Sequence, residues 1–265
     1  MDLMLECIDL SFQYRDKTVF SHISFQALPG RFCAVLGRNG SGKTTLIHCL
    51  NRILNPVSGR ILIQGRDMAS FGRNDIARTI SLLPQEQIDI FPYKVMDVVV
   101  MGRAPFLKMA ARPGEKDYAK AEESLRQLNA QDLSHRNFNR ISGGERQIVL
   151  LARCLAQAAP IMLLDEPTNH LDFNHQYHLL SSMGQLCREK GISVVAAMHD
   201  PNLAAMFADD VIMIKDGRVM AKGVKDEVMT EENISALYDM DIQKFRHNAG
   251  IFFYSPKDIF LNNRL

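Results

Sequence analysis

The segment Gly37-Arg38-Asn39-Gly40-Ser41-Gly42-Lys43-Thr44 carries the spacing G-x-x-x-x-G-K-[ST]. Glycines at 37, 40 and 42 let the chain turn tightly enough for successive backbone N–H groups to point at phosphate oxygens, and a helix after the loop adds its positive N-terminal end. In such a loop, to which Asn39 and Ser41 also belong, Lys43 reaches the β- and γ-phosphates of a nucleoside triphosphate, the Thr44 hydroxyl ligates Mg2+, and Thr45 contacts the α-phosphate. The glycine spacing is not G-x-G-x-x-G, so a dinucleotide is not the expected ligand. A second group lies at the end of Ile161-Met162-Leu163-Leu164-Asp165-Glu166, an apolar run closed by two carboxylates. In a chain that already has a phosphate loop, Asp165 stands where the metal is held, through its water shell, and Glu166 where a base could take a proton from an attacking water.

Such groups need strands that end in loops at one place. Phe32-Cys33-Ala34-Val35-Leu36 is a continuous apolar run ending in glycine, the pattern of a buried strand feeding the phosphate loop. Thr44 to Leu54 reads as the following helix, stopping before Pro56. Alternation from Leu3 to Tyr14 predicts a half-exposed strand; Arg60 to Gln64, Ile80 to Leu83, Ile161 to Leu164, Ile192 to Ala197 and Val211 to Ile214 are further strands. Between about Phe91 and Leu155 the pattern turns helical, with Tyr118, Ala121, Leu125 and Leu128 on one stripe. Strands alternating with helices predict an α/β core with a largely parallel sheet. Phe245 and Phe252-Phe253-Tyr254 suggest a short antiparallel piece packed on that core.

The chain has 265 residues, 46% apolar and 23% charged, with 31 Lys+Arg against 30 Asp+Glu and a formal charge of +1. That balance argues against a grip on many nucleic-acid phosphates, which takes a basic excess. No run approaches the roughly 18 consecutive apolar residues of a membrane-spanning helix, and the acidic start Met1-Asp2-Leu3-Met4-Leu5-Glu6 is unlike a secretory signal. The chain is expected to stay in the cytosol. Five scattered cysteines without a C-x-x-C spacing suit buried free thiols in a reducing compartment.

Ile141-Ser142-Gly143-Gly144-Glu145-Arg146-Gln147, before an expected helix and upstream of the acidic pair, resembles the signature motif of ATP-binding-cassette (ABC) proteins. The resemblance continues in order. Gln85 in Leu83-Pro84-Gln85 looks like the Q-loop glutamine, His170-Leu171-Asp172 like the D-loop, and His199 in Ala197-Met198-His199-Asp200 like the switch histidine. Tyr14 resembles the aromatic residue that stacks on adenine. Ile141 and Glu145 depart from the widespread signature, which has leucine and glutamine there. With Met101-Gly102-Arg103-Ala104-Pro105 and the stretch from Asp165 to Asp172, Glu145 makes the chain resemble the ATPases of type II importers for iron-siderophore, haem and cobalamin. Molybdate and tungstate importers are close relatives.

The resemblance implies a P-loop NTPase (RecA-like) α/β core with an N-terminal antiparallel β subdomain and an inserted helical subdomain. A single ABC ATPase domain would fill 1–265: a nucleotide-binding core with the β subdomain over 1–90 and 156–240, the helical signature subdomain over 91–155, and a C-terminal extension over 241–265. It implies too that each ATP is sandwiched between the phosphate loop of one copy and Ser142, Gly143, Gly144 and Glu145 of another, so that a homodimer closes on two ATP. Thr44, Gln85 and Asp165 would hold Mg2+, Glu166 would be the base, and His199 would position the γ-phosphate or the water, with Gln85 assisting. The same resemblance implies a permease dimer as partner, reached through a groove near Gln85 and the helical subdomain. A periplasmic or extracellular substrate-binding protein would act indirectly, with the ATPase peripheral on the cytoplasmic face of the inner (plasma) membrane.

Other readings fit less. Cassette ATPases that act on ribosomes or DNA have two cassettes or a long inserted coiled coil, and a P-loop kinase leaves the signature and His199 unexplained. Export is a further alternative, although exporters often fuse the cassette to membrane helices. His170, His175 and His178 match no metal-ligand spacing and are expected to serve the D-loop and a helix surface. The 14 methionines are expected to fill the core.

Overall fold

The computed structural model describes residues 4–85, 92–108, 111–169, 171–247 and 250–257. Two sheets carry the fold. The first is antiparallel, in the order β2 (Lys17–Ala27), β1 (Leu5–Tyr14), β4 (Ser58–Ile63) and β5 (Arg66–Asp67). The second has six strands, in the order β10 (Arg218–Val224), β9 (Asp210–Lys215), β3 (Phe32–Leu36), β8 (Ser193–Met198), β7 (Ile161–Asp165) and β6 (Ile80–Leu83). Only β10 runs antiparallel to its neighbour; the other five strands are parallel. Every residue of β3, β7 and β8 is buried. That is why these strands read as unbroken apolar runs, for a parallel sheet covered on both faces has no solvent side.

Alternate residues of this sheet serve two separate cores. Cys33, Val35, Leu163, Val195 and Ala197 face one cluster, shared with helix α1 (Lys43–Leu50) and the antiparallel sheet. Phe32, Ala34, Leu36, Met162 and Leu164 face the other. The second cluster takes in α3 (Val95–Val100), α4 (Glu115–Gln127) and α5 (Gly143–Ala156), which pack on one another, and α6 (Phe173–Lys190) and α7 (Pro201–Phe207). A short α2 (Arg73–Thr79) precedes β6. On the predicted stripe of α4, Ala121, Leu125 and Leu128 are buried while Tyr118 is exposed. Helix α1 ends at Leu50, four residues before the expected Leu54, because Arg52 takes a left-handed backbone (φ 58°) and its guanidinium turns to the Phe71 carbonyl.

After β10 come α8 (Lys225–Val228), α9 (Glu231–Tyr238) and an antiparallel hairpin of β11 (Ile242–Arg246) and β12 (Phe252–Pro256). The hairpin matches the antiparallel piece expected from its aromatic residues. All five cysteines are free and buried. Burial pushes the thiols of Cys49 and Cys187 up to about 12 and that of Cys154 up to about 11. Among the described residues no helix is long and apolar enough to cross a membrane.

Candidate nucleotide site

Because β6, β7, β8 and β3 run parallel, their carboxyl ends lie along one edge of the sheet, the place where open α/β sheets bind ligands. From those ends come Gln85 after β6, Asp165 and Glu166 at β7, His199 after β8 and the phosphate loop after β3. Register fixes their neighbourhood: Asp165 pairs with Ala197, and Leu36 with Met198.

The phosphate loop folds tightly. A Cβ on Gly37 would stand 2.5 Å from Ser41 Oγ and 2.6 Å from the Ile214 carbonyl oxygen, so only glycine fits. Gly40 and Gly42 are left-handed, at φ 81° and 98°. Gly42 is the N-cap of α1, and no side chain caps that helix. Lys43 is buried; its Nζ donates to the carbonyls of Gly37 (2.8 Å) and Arg38 (3.1 Å) and lies 3.9 Å from Glu166 Oε1. Burial lowers its pKa, against the pull of Glu166 and Asp165.

Thr44 Oγ1 donates to Asp165 Oδ1 at 3.0 Å. Asp165 is fully buried, and its Oδ2 has no hydrogen-bond partner among the described residues. Burial raises its pKa, opposed first by the Thr44 hydroxyl. A buried carboxylate oxygen left unpaired beside a hydroxyl is a donor set that suits a hard divalent cation. The arrangement therefore fits Mg2+.

Glu166 has a left-handed backbone at φ 48°, which costs a residue with a Cβ roughly 1–2 kcal/mol. Its N–H donates to the Ala197 carbonyl at 3.1 Å. Its carboxylate receives Gln85 Nε2 at 2.9 Å and the Asn169 side-chain amide. Asn169 is not among the residues that the motifs single out, and its place three residues after the acidic pair is its signal in the sequence.

The structure thus gathers two hydrogen-bonded sets at one strand end, Thr44 with Asp165 and Gln85 and Asn169 with Glu166, and Lys43 lies within ion-pair distance of Glu166. Other expected residues stand outside it. Tyr14 is half exposed at the end of β1, its ring edge-on to Phe12 at 4.8 Å. Thr45 is partly buried in α1, and Asn39 and Gly40 are exposed in the loop. His199 is exposed, and its carbonyl accepts from Tyr238 Oη at 2.6 Å.

Ser142 caps α5. Its N–H and hydroxyl donate to Glu145 Oε2 at 2.8 and 2.9 Å, while its Oγ accepts from the Glu145 N–H at 3.3 Å. Gly143 opens the helix. The Ser142 donors, helped by Arg136, hold the Glu145 carboxyl below the usual range. Asp172 caps α6, accepting from His175 N (2.9 Å) and paired with His175 Nδ1 (2.8 Å). The His175 ring packs where a Cβ on Gly144 would come within 3.3 Å. His175 lies at the start of a helix as expected, and there it also pairs with Asp172 and packs its ring against Gly144. His170 lies outside the described residues. Among the described residues no hydrogen bond or ion pair joins 142–145 to 37–45.

Comparison with known proteins decides the family. The ABC transporter family model matches residues 20–169. The chain belongs to the ABC transporter ATP-binding family. It is an ATPase cassette of that family and binds ATP. It is 37% identical over 245 residues to the hemin import ATP-binding protein HmuV of Rhizobium meliloti, covering 89% of this chain and 91% of that one. Among solved structures, an inward-facing metal-chelate type ABC transporter superposes with TM-score 0.86 at 31% identity, over 98% of this chain and all of that chain. A dimeric cassette, MJ0796, superposes with TM-score 0.72 at 25% identity, over 83% and 98%.

Proposed function

We propose that this cassette is the ATP-hydrolysing subunit of an importer for a metal chelate of the iron-siderophore, haem or cobalamin class. It works as a pair of copies around two ATP, beneath a partner permease on the cytoplasmic face of the membrane. The observation that carries the hydrolytic part is the Glu166 carboxylate, fixed by Gln85 and Asn169 at the end of β7 beside Lys43. The import class is supported by the HmuV relative and the metal-chelate transporter fold. The paired arrangement is supported by the dimeric form of MJ0796.

In this reading the loop N–H groups and Lys43 bind the β- and γ-phosphates, and Lys43 exchanges its carbonyl partners for phosphate oxygens. Thr44 and Asp165 hold Mg2+, with the Gln85 amide oxygen as a further donor; the ion supplies charge neutralisation for the phosphates. Glu166 takes the proton of the attacking water, whose oxygen bonds to the γ-phosphorus as the bond to the β-phosphate oxygen breaks. His199 orients the γ-phosphate or the water. Ser142, Gly143 and Gly144 of a second copy close the site, with Asp172 beside them and Glu145 holding the turn. Tyr14 stacks on the adenine.

Glu166→Gln keeps the hydrogen-bonding shape and removes the base. We expect kcat to fall by about 100-fold to 10,000-fold with ATP affinity kept, and size-exclusion with ATP to give a persistent dimer. Near-normal turnover overturns the assignment. The cargo class is tested by co-purifying the chain with its permease and asking which loaded binding protein stimulates ATPase activity.

A further inference from the structure

The segment after β10 does more than cover the core. At the end of α9, Tyr238 Oη donates to the backbone carbonyl of His199 at 2.6 Å. The next residue, Asp239, has a left-handed backbone and pairs with Arg38 of the phosphate loop at 2.7 Å and with Lys215 at the end of β9. A third tie comes from β12, where the Tyr254 N–H donates to Asn202 Oδ1 at 2.7 Å and the Tyr254 carbonyl accepts from Asn202 Nδ2 at 3.2 Å. Asn202 stands three residues after His199, in the first turn of α7, whose cap is Asp200. The C-terminal segment therefore bonds to His199 from the end of α9, to Asn202 from β12, and to Arg38 of the phosphate loop from Asp239.

We propose that Tyr238 is a positioning residue for His199, and that Asp239 links the same helix end to the phosphate loop, so that the two loops keep a fixed relation. The proposal rests on the reading of His199 as the group at the γ-phosphate. The carbonyl of His199 is the last backbone acceptor before the Asp200 cap, so a hydrogen bond there restrains the peptide from which the imidazole projects. A neutral hydrogen bond of this kind carries a modest energy and has its effect through direction. The Arg38–Asp239 pair is exposed on both sides and is the weaker of the two ties.

The test uses the full chain and its basal ATPase activity. Tyr238→Phe removes one oxygen and leaves the ring in place. We expect kcat to fall about fivefold, ATP KM to stay within about twofold and the unfolding midpoint to stay within about 2 °C. In histidine-labelled protein, the ring resonance of His199, assigned by its loss in His199→Ala, should shift in Tyr238→Phe. An unmoved His199 resonance overturns the proposal whatever the rate does, and so does a rate loss accompanied by a falling unfolding midpoint. Asp239→Asn keeps a residue that tolerates the left-handed backbone and should raise ATP KM about twofold; an unchanged KM removes the link to the phosphate loop. If His199→Ala keeps the parent rate, the reading of His199 falls and this proposal with it. A dead His199→Ala beside a silent Tyr238→Phe removes the positioning role alone.

Discussion

The phosphate loop and the signature turn are both glycine-bearing turns that start a helix, yet they solve the helix N-terminus in opposite ways. Helix α1 starts at a left-handed Gly42 with no side chain capping it, and its lysine is folded back onto the carbonyls of its own loop. Helix α5 starts at Ser142 inside a complete capping box, and it carries its own anion, Glu145, in the first turn. The free N–H groups of a helix start attract negative charge. In α1 that attraction is left for an external anion, and in α5 an internal carboxylate answers it. In the proposed arrangement the first turn binds phosphate strongly, and the second is ordered on its own before it meets a second copy.

Three substitutions probe that contrast, beginning with the largest effect. Lys43→Ala should weaken ATP binding by about 100-fold, since a desolvated charge-assisted contact to phosphate is lost; titration of a fluorescent ATP analogue measures it, and unchanged affinity would break the assignment of the loop as the strong binder. Asp165→Asn acts on the metal side of the same loop. A raised carboxyl pKa means that the folded chain holds the proton more tightly than the unfolded chain, so the ionised form costs stability at neutral pH. Without nucleotide or Mg2+, the variant should melt a few degrees above the parent at about pH 7, with the gap closing as pH falls through the Asp165 titration. A gap that widens on acidification contradicts the buried-charge account. Glu145→Gln has the smallest effect. It keeps the cap, removes the negative charge in the first turn of α5, which in the proposed pairing would repel an incoming γ-phosphate, and should tighten ATP-dependent self-association of the Glu166→Gln background by about twofold to threefold in sedimentation equilibrium.

Much of this site is legible because its parts are local. A buried parallel strand is apolar along its length, so Phe32–Leu36 and the run Ile161 to Leu164 stand out, and the candidate residues stand at their ends. The capping box is visible as serine followed three residues later by glutamate. What escapes is whatever depends on distant pairing. β2 has its alternation disturbed by a bulged, irregular register with β1, including a left-handed His22, and does not read as a strand. The Gln85–Glu166 bond links residues 81 apart in sequence, and the Tyr238–His199 bond residues 39 apart. Neither leaves a local spacing to find. The left-handed Glu166 is likewise silent, because nothing in its residue type announces that backbone.

The fate of the five thiols has a practical side. Each is enclosed, and at neutral pH the thiolate that reacts with labelling reagents is suppressed in all of them, since burial raises every one of their pKa values. A single new cysteine at a solvent-facing position such as Phe173, which is 78% exposed beside the D-loop, would then take a probe selectively with the native cysteines left in place. Such probes would report on the proposed pairing of two copies with the interior left intact.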